Sequence, residues 1–130
     1  MVNMSKISVN GEPIDIVKRN YIFNKGVMFD PLILTNSSIV DGVIVLNNGS
    51  IVKSVNKYVD CNVFIKVRKI GSATIDFFVN STGVSMKSTI SITNKTFTYG
   101  YTAMNEIINC NLAGSNSLDI LEIWYEEVLT

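Results

Sequence analysis

Residues 61–80 read CNVFIKVRKIGSATIDFFVN, and two runs of strict alternation lie within them. Cys61, Val63, Ile65 and Val67 alternate with Asn62, Phe64, Lys66 and Arg68, and then Ala73, Ile75, Phe77 and Val79 alternate with Thr74, Asp76, Phe78 and Asn80. A period of two is the mark of a strand with one buried face. With Ile70, Gly71 and Ser72 as a three-residue loop, the stretch predicts a β-hairpin in which Val67 faces Ile75, Ile65 faces Phe77 and Val63 faces Val79. The opposite face then pairs Lys66 with Asp76 and Phe64 with Phe78, contacts each worth about 0.2–1 kcal/mol across strands. On this reading the hairpin is the centre of a sheet and the chain is all-β.

The rest of the composition agrees. A chain of 130 residues is long enough to bury one core without a metal or disulfide. Its 11 Lys and Arg balance its 11 Asp and Glu, and no basic run stands out, which argues against nucleic acid and anionic membrane as partners. Charged residues make up only 17% of the chain; a well-filled sandwich core accounts for most of this, and surface buried against other chains, as in a homo-oligomer, is the further expectation. The first residues hold no apolar stretch of signal-peptide length and nothing later approaches a membrane span, so the expectation is a protein made in the cytoplasm without export. Cys61 and Cys110 both fall on apolar strand positions, which predicts two reduced, buried thiols rather than a bridge.

Turn signals divide the remainder into strands. Asn10-Gly11 between KISV and EPIDIV suits a type I′ turn, with Ile7 facing Ile14 and Lys6 facing Asp15; Pro13 assigns this hairpin to an edge. Lys18, Arg19 and Asn20 then read as a hinge into the body. Asp30-Pro31 interrupts pairing, and Asp41-Gly42 and Asn47-Asn48-Gly49 mark two further turns. Asn94-Lys95 would pair Ile92 with Phe97 and Ile90 with Tyr99. In 118–127, apolar residues of both parities predict a central strand or one covered by a partner. Strands at intervals of about eight to twelve residues are the spacing of sandwiches and jelly rolls.

The absence of histidine removes the usual triads and the commonest general base. No phosphate loop, dinucleotide fingerprint or calcium loop is present. Asp76 and Glu122 could in principle form a glycosidase pair, but Asp76 already has a partner in Lys66, so no enzyme is expected. Aromatic side chains remain. Tyr99, Tyr101 and Trp124, with Arg68 as a polar partner, have the chemistry of a glycan platform, in which rings stack on sugars and polar groups hold hydroxyls; core packing is the favoured reading of these rings, because Tyr99 projects with Ile90. Phe64 and Phe78 share a face with Lys66, Asp76 and Arg68 and are read as a partner contact, together with Ile7, Ile14 and Ile16 of the first hairpin.

NYIFN at 20–24, VDGVIVL at 40–46, GSIVKSV at 49–55, Tyr58 leading into NVFIKVR at 62–68, and LDILEIWY at 118–125 are similar in order and spacing to the galactose-binding-like jelly rolls of carbohydrate-binding modules. The resemblance implies an antiparallel jelly-roll β-sandwich over 20–130, preceded by a small N-terminal hairpin in 1–19. It also implies glycan binding and, in many members, a structural calcium; Glu122 matches the family's acidic position in the last strand, whereas its early acidic ligand and early tryptophan have no counterpart, so no cofactor is expected. A jelly roll made without an export signal further resembles a phage virion accessory protein, whether capsid decoration, fibre or tail. That resemblance implies other virion proteins as partners, anchoring by β-augmentation through 6–17, and cell-surface glycans as a further partner. The alternative is a stand-alone carbohydrate-binding module of a polysaccharide-degrading system.

Overall fold

The structure, a computed structural model, describes residues 6–9, 12–59, 61–69, 75–81, 84–90, 96–103, 106–113 and 117–128, with side chains for 16–59, 61–69, 107–112 and 117–127. Its regular elements are all strands: β1 (Lys6–Val9), β2 (Glu12–Asp15), β3 (Val17–Asn24), β4 (Val27–Met28), β5 (Leu32–Val40), β6 (Val43–Tyr58), β7 (Cys61–Lys69), β8 (Ile75–Ser81), β9 (Val84–Ile90), β10 (Thr96–Ala103), β11 (Glu106–Ala113) and β12 (Leu118–Val128). β1 and β2 form the predicted hairpin in the predicted register, Ile7 opposite Ile14 and Lys6 opposite Asp15.

The other ten strands make one antiparallel system in the order β10-β7-β12-β6-β11-β8-β9, with β3 and β4 added beside β12 and β5 beside β6. Two strands change partners along their length, and that turns the system into a sandwich. β12 pairs with β6 only through Leu118, Asp119 and Ile120, and from Glu122 onward its partner on that side is β3. β6 meanwhile passes from β12 to β11, which it contacts from Ile51 to Tyr58. The front leaf is therefore β10-β7-β12-β3-β4 and the back leaf β9-β8-β11-β6-β5. Strands that switch leaves at bends are the ordinary corner of such packing. Between the leaves lie Phe23 of β3, Leu46 and Val52 of β6, Val63, Ile65 and Val67 of β7, Ile108, Cys110 and Leu112 of β11, and Ile120 and Ile123 of β12, all essentially inaccessible to solvent.

The predicted central hairpin does not form. β7 pairs with β10 and β12, while β8 pairs with β11 and β9, so the two alternating runs belong to opposite leaves. Lys66 meets Glu122, not Asp76, and Phe64 meets Trp124, not Phe78. Alternation fixes which face of a strand is buried but not which strand lies next to it. Two strands that face each other across a core show the same pattern as two that share a ladder. The Ile90–Tyr99 pairing fails for the same reason: Ile90 is opposite Ile75 and Tyr99 opposite Ile65. Phe97 pairs with Val67, and Ile92 lies outside the described residues. β12, by contrast, has strands on both sides, as its two apolar parities predict.

Two other readings change. Lys18, Arg19 and Asn20, read as a hinge, belong to the first half of β3, opposite Glu127, Glu126 and Tyr125. Asn47-Asn48-Gly49, read as a turn, is a kink inside β6 that coincides with its change of leaf. There the register against β5 shifts between Thr35 and Ser37, and Asn36 and Gly49 have φ of 50° and 83°. The buried Ser50 hydroxyl closes the kink, accepting from the Asn47 amide at 2.8 Å and donating to the Asn36 carbonyl. A second irregularity, between Ile107 and Asn109, would strand the Ile108 amide; the buried Ser54 hydroxyl accepts from it at 2.7 Å. Ser50 and Ser54 thus satisfy backbone groups freed at the two bulges, whereas Ser37 Oγ, beside the first of them, is buried with no hydrogen-bond partner among the described residues.

Asp41-Gly42 does turn, joining Val40 to Val43 with φ of 50° and 82°. Lys25-Gly26 does the same between Asn24 and Val27, with φ of 50° and 81°. A Cβ on Gly26 would stand 3.2 Å from the Gly42 Cα, whereas one on Gly49 would meet nothing within 4 Å. Both substitutions carry the cost of a left-handed backbone, about 1 kcal/mol, and only the first adds a backbone collision. Gly26→Ala should therefore lower stability by about 2 kcal/mol and Gly49→Ala by about 1. Urea denaturation of the two variants checks this; equal losses would mean that the two turns do not touch.

Candidate functional site

The outer face of the front leaf carries an unusual concentration of rings. On β7 the buried residues are Val63, Ile65, Val67 and Lys69, so Phe64, Lys66 and Arg68 point outward. On β12 the register shifts between Ile120 and Glu122. That extra residue lets both Ile120 and Ile123 face the core while Glu122, Trp124 and Glu126 turn out. On β3 a shift opposite Ile123 and Trp124 leaves Ile22 and Phe23 both buried, and the Ile22 carbonyl accepts from the amides of Phe29 at 2.8 Å and Asp30 at 3.3 Å. The result is a row across four strands: Gly100, Phe64, Trp124 and Tyr21 are successive partners.

Trp124 is the middle of the row. Phe64 stacks on it with ring centroids 5.3 Å apart and planes 14° from parallel. From the β3 side the Arg19 guanidinium carbon lies 4.1 Å from the indole centroid and 5.9 Å from that of Tyr21. The indole N–H donates to Glu126 at 3.3 Å. Although it is absent from the core cluster, Trp124 is left only 4% exposed, closed between a ring and a cation. Arg19 donates to the Tyr21 hydroxyl at 3.5 Å. That bond, and behind it the charges of Glu122 and Glu126, hold the guanidinium above its ordinary pKa, so the cation over the indole is permanent.

Ion pairs flank the rings. Lys66 Nζ lies 3.5 Å from Glu122 Oε2, and Arg68 Nη2 lies 2.7 Å from Asp119 Oδ2, with Asp119 nearly buried. Arg68 Nε is buried with no hydrogen-bond partner among the described residues. At the other end the Tyr21 ring meets Phe29, centroids 6.5 Å apart, and Phe29 is 59% exposed. Tyr21 and Glu122 also line a shallow cleft of about 380 Å³ with Asn24, Lys25 and Leu121, within the size range of small-ligand sites.

Of the residues that the sequence nominated, this face brings together Trp124, Arg68 and Phe64. Tyr99 and Tyr101 are on β10, in register with the core residues Ile65 and Val63; their side chains lie outside the described residues. Phe78 is on the other leaf, opposite Asn111 and Lys87, so it shares no face with Phe64. Ile16 is half-buried, and the side chains of Ile7 and Ile14 lie outside the described residues. Arg19, Tyr21 and Phe29 were missed. A cation and a ring two apart in an alternating run, as at Arg19 and Tyr21, are a same-face signal that the hinge reading obscured. Cys110 is buried as expected, whereas Cys61 is only half-buried, and neither is bridged. Among the described residues no three His, Cys, Asp or Glu side chains converge on a metal position, and no helix is long and apolar enough to cross a membrane.

No family model and no curated protein matches the sequence. Solved structures do match the fold. A variant of a family 29 carbohydrate-binding module aligns with TM-score 0.57 and 11% identity, over 85% of this chain and 92% of that one. A CBM29-2 variant complexed with mannohexaose aligns with TM-score 0.54 and 15% identity, over 85% and 92%. A family two carbohydrate esterase from Cellvibrio japonicus aligns with TM-score 0.54 and 6% identity, over 85% of this chain but 33% of the esterase. At such identities the likeness is one of fold: the chain is an antiparallel jelly-roll sandwich of the kind seen in carbohydrate-binding modules.

Proposed function

We propose that this chain is a non-catalytic glycan-binding module whose ligand lies on the outer face of the front leaf against Phe64 and Tyr21, with the covered Trp124 seating the platform between them. The observation that carries the reading is the Phe64–Trp124–Arg19 stack, an ordered set of rings outside the core on a face whose charges are paired with one another. Sugar rings present apolar C–H faces that stack on such rings, and fixed polar groups beside them select hydroxyl geometry. Phe64 is only half-buried, and its neighbour on β10 is Gly100, which has no side chain to cover it. Two strand spacings of about 4.8 Å separate Phe64 from Tyr21, about 10 Å in all, which suits two or more sugar rings rather than one. The match to a mannohexaose complex makes a neutral hexose polymer the first ligand to try. A place in a virus particle and self-association draw no support from this face, so the glycan-binding module, the alternative in the sequence reading, becomes the leading one.

Affinity electrophoresis in gels containing mannans, glucans or xylans tests the proposal, with calorimetry on any polymer that retards the protein. Dissociation constants in the micromolar to millimolar range are expected, and Phe64→Ala should weaken binding by about tenfold, or 1.4 kcal/mol, while leaving the circular dichroism unchanged. Retardation by no neutral polysaccharide, or undiminished binding by the folded Phe64→Ala variant, would remove the site.

A further inference from the structure

A second cleft, of about 650 Å³, opens where the end of β6, the start of β7 and the end of β12 meet the 29–31 connection; Asp30, Lys57, Tyr58, Cys61, Tyr125 and Glu127 line it. It shares no lining residue with the shallow cleft beside Tyr21. The rings of Tyr58 and Tyr125 stand 5.2 Å apart with planes at 49°, so they present differently directed faces. Tyr58 is almost wholly buried, and its hydroxyl donates to Asp30 Oδ2 at 2.8 Å. Glu127 Oε1 accepts from the Asn20 side-chain Nδ2 at 3.1 Å.

We infer that this cleft binds an organic ammonium group. A carboxylate offers about four acceptor positions, and Asp30 and Glu127 keep capacity beyond the bonds just described, while the Tyr58 hydroxyl proton is committed to Asp30. The cleft is thus rich in acceptors, with the half-buried Tyr125 ring as its aromatic wall and Tyr58 packed behind it. Ring faces carry the negative end of the aromatic quadrupole and hold ammonium groups within about 6 Å, the arrangement by which aromatic cages recognise alkylated amines. Lys57 is the lone cation among these lining residues and its side chain is exposed, so the charge of the walls is negative. Burial, and then the charges of Asp30 and Glu127, raise the pKa of Tyr125. Burial and the Asp30 bond raise that of Tyr58 as well, so both phenols stay neutral.

The inference is independent of the glycan proposal, and Cys61 gives it a reporter. Its half-buried thiol lines the cleft, while Cys110 is buried. The alkylation rate of Cys61, followed by mass spectrometry on the whole chain, should fall about tenfold when choline is present at about ten times its dissociation constant. Ethylammonium in a parallel arm distinguishes a primary from a quaternary amine as the source of the charge, and protection by either supports the site. Dimethylbutanol, the uncharged carbon isostere of choline, and sodium chloride at equal concentration should leave the rate unchanged. Asp30→Asn and Tyr125→Leu should each abolish protection, and Phe64→Ala should retain it. Equal protection by the isostere, protection by neither cation, or protection that survives in both folded cleft variants would overturn the inference.

Discussion

Replacing Trp124 by alanine lowers the unfolding free energy by about 3–5 kcal/mol, an effect expected for a core residue but produced here on an outer face. The indole is 4% exposed because Phe64 covers it from β7 and Arg19 covers it from β3. Truncation removes the surface on which both are seated, on a strand paired on both sides. Some of the loss is recovered as Phe64 and Arg19 collapse toward the gap, which puts the value nearer the lower bound. Two companions separate packing from charge. Trp124→Phe keeps a ring against Phe64 and should restore most of the stability. Arg19→Ala leaves the stack in place and uncovers one side of the indole. Because Trp124 is the single tryptophan, its fluorescence should move to longer wavelength in Arg19→Ala with little change in the urea midpoint. If Trp124→Ala costs less than about 1 kcal/mol, the indole is not seated as described, and the platform loses its foundation.

The alternation that makes this face was legible along each strand. Phe64, Lys66 and Arg68 read as one outward set, Trp124 fell on an apolar strand, and Asn10-Gly11 gave its hairpin the right register. Neighbours across strands were not legible. The partner of Phe64 is Trp124, sixty positions away in the chain, and nothing in the period of either strand selects it over Phe78. The local rule that short connections join ladder neighbours holds for β3-β4, β5-β6 and β8-β9 and favoured β8 as the partner of β7, but these two successive strands pass to opposite leaves. The bulges were invisible for a related reason. One extra residue at Leu121 and one at Ile22 look like broken alternation, yet they put Trp124 and Tyr21 on the same side. Arg19 was lost because its basic neighbour Lys18 made a polar cluster resembling a linker. The end cleft gave no sign at all, since Asp30, Tyr58 and Tyr125 come from three separate parts of the chain and none belongs to a motif.

Cys110 should make the protein fragile in alkali. Its side chain is completely buried on β11 between the leaves, and burial pushes the thiol up from its ordinary value of 9.0 to about 12, because the thiolate cannot be solvated there. In the unfolded chain the thiol gives up its proton near pH 9, while in the folded chain it keeps it until near pH 12. Between these values the unfolded state binds fewer protons, so stability falls as pH rises. The contribution is fully present below about pH 9 and is lost at up to about 1.4 kcal/mol per pH unit, approaching 4 kcal/mol at the top of the window. Tyr125 and Tyr58, also shifted upward, add losses of the same sign at higher pH, so only a comparison isolates the thiol. Cys110→Ala opens a small cavity and should be the less stable protein at about pH 8, by about 1 kcal/mol, but its stability should decline more slowly thereafter. Urea denaturation of both proteins at several pH values above 8, in a Cys61→Ser background, should show the difference shrink and then reverse. A difference that stays constant across that range would mean that the thiolate is accommodated in the folded state, and that the core around β11 opens to water where the structure shows it closed.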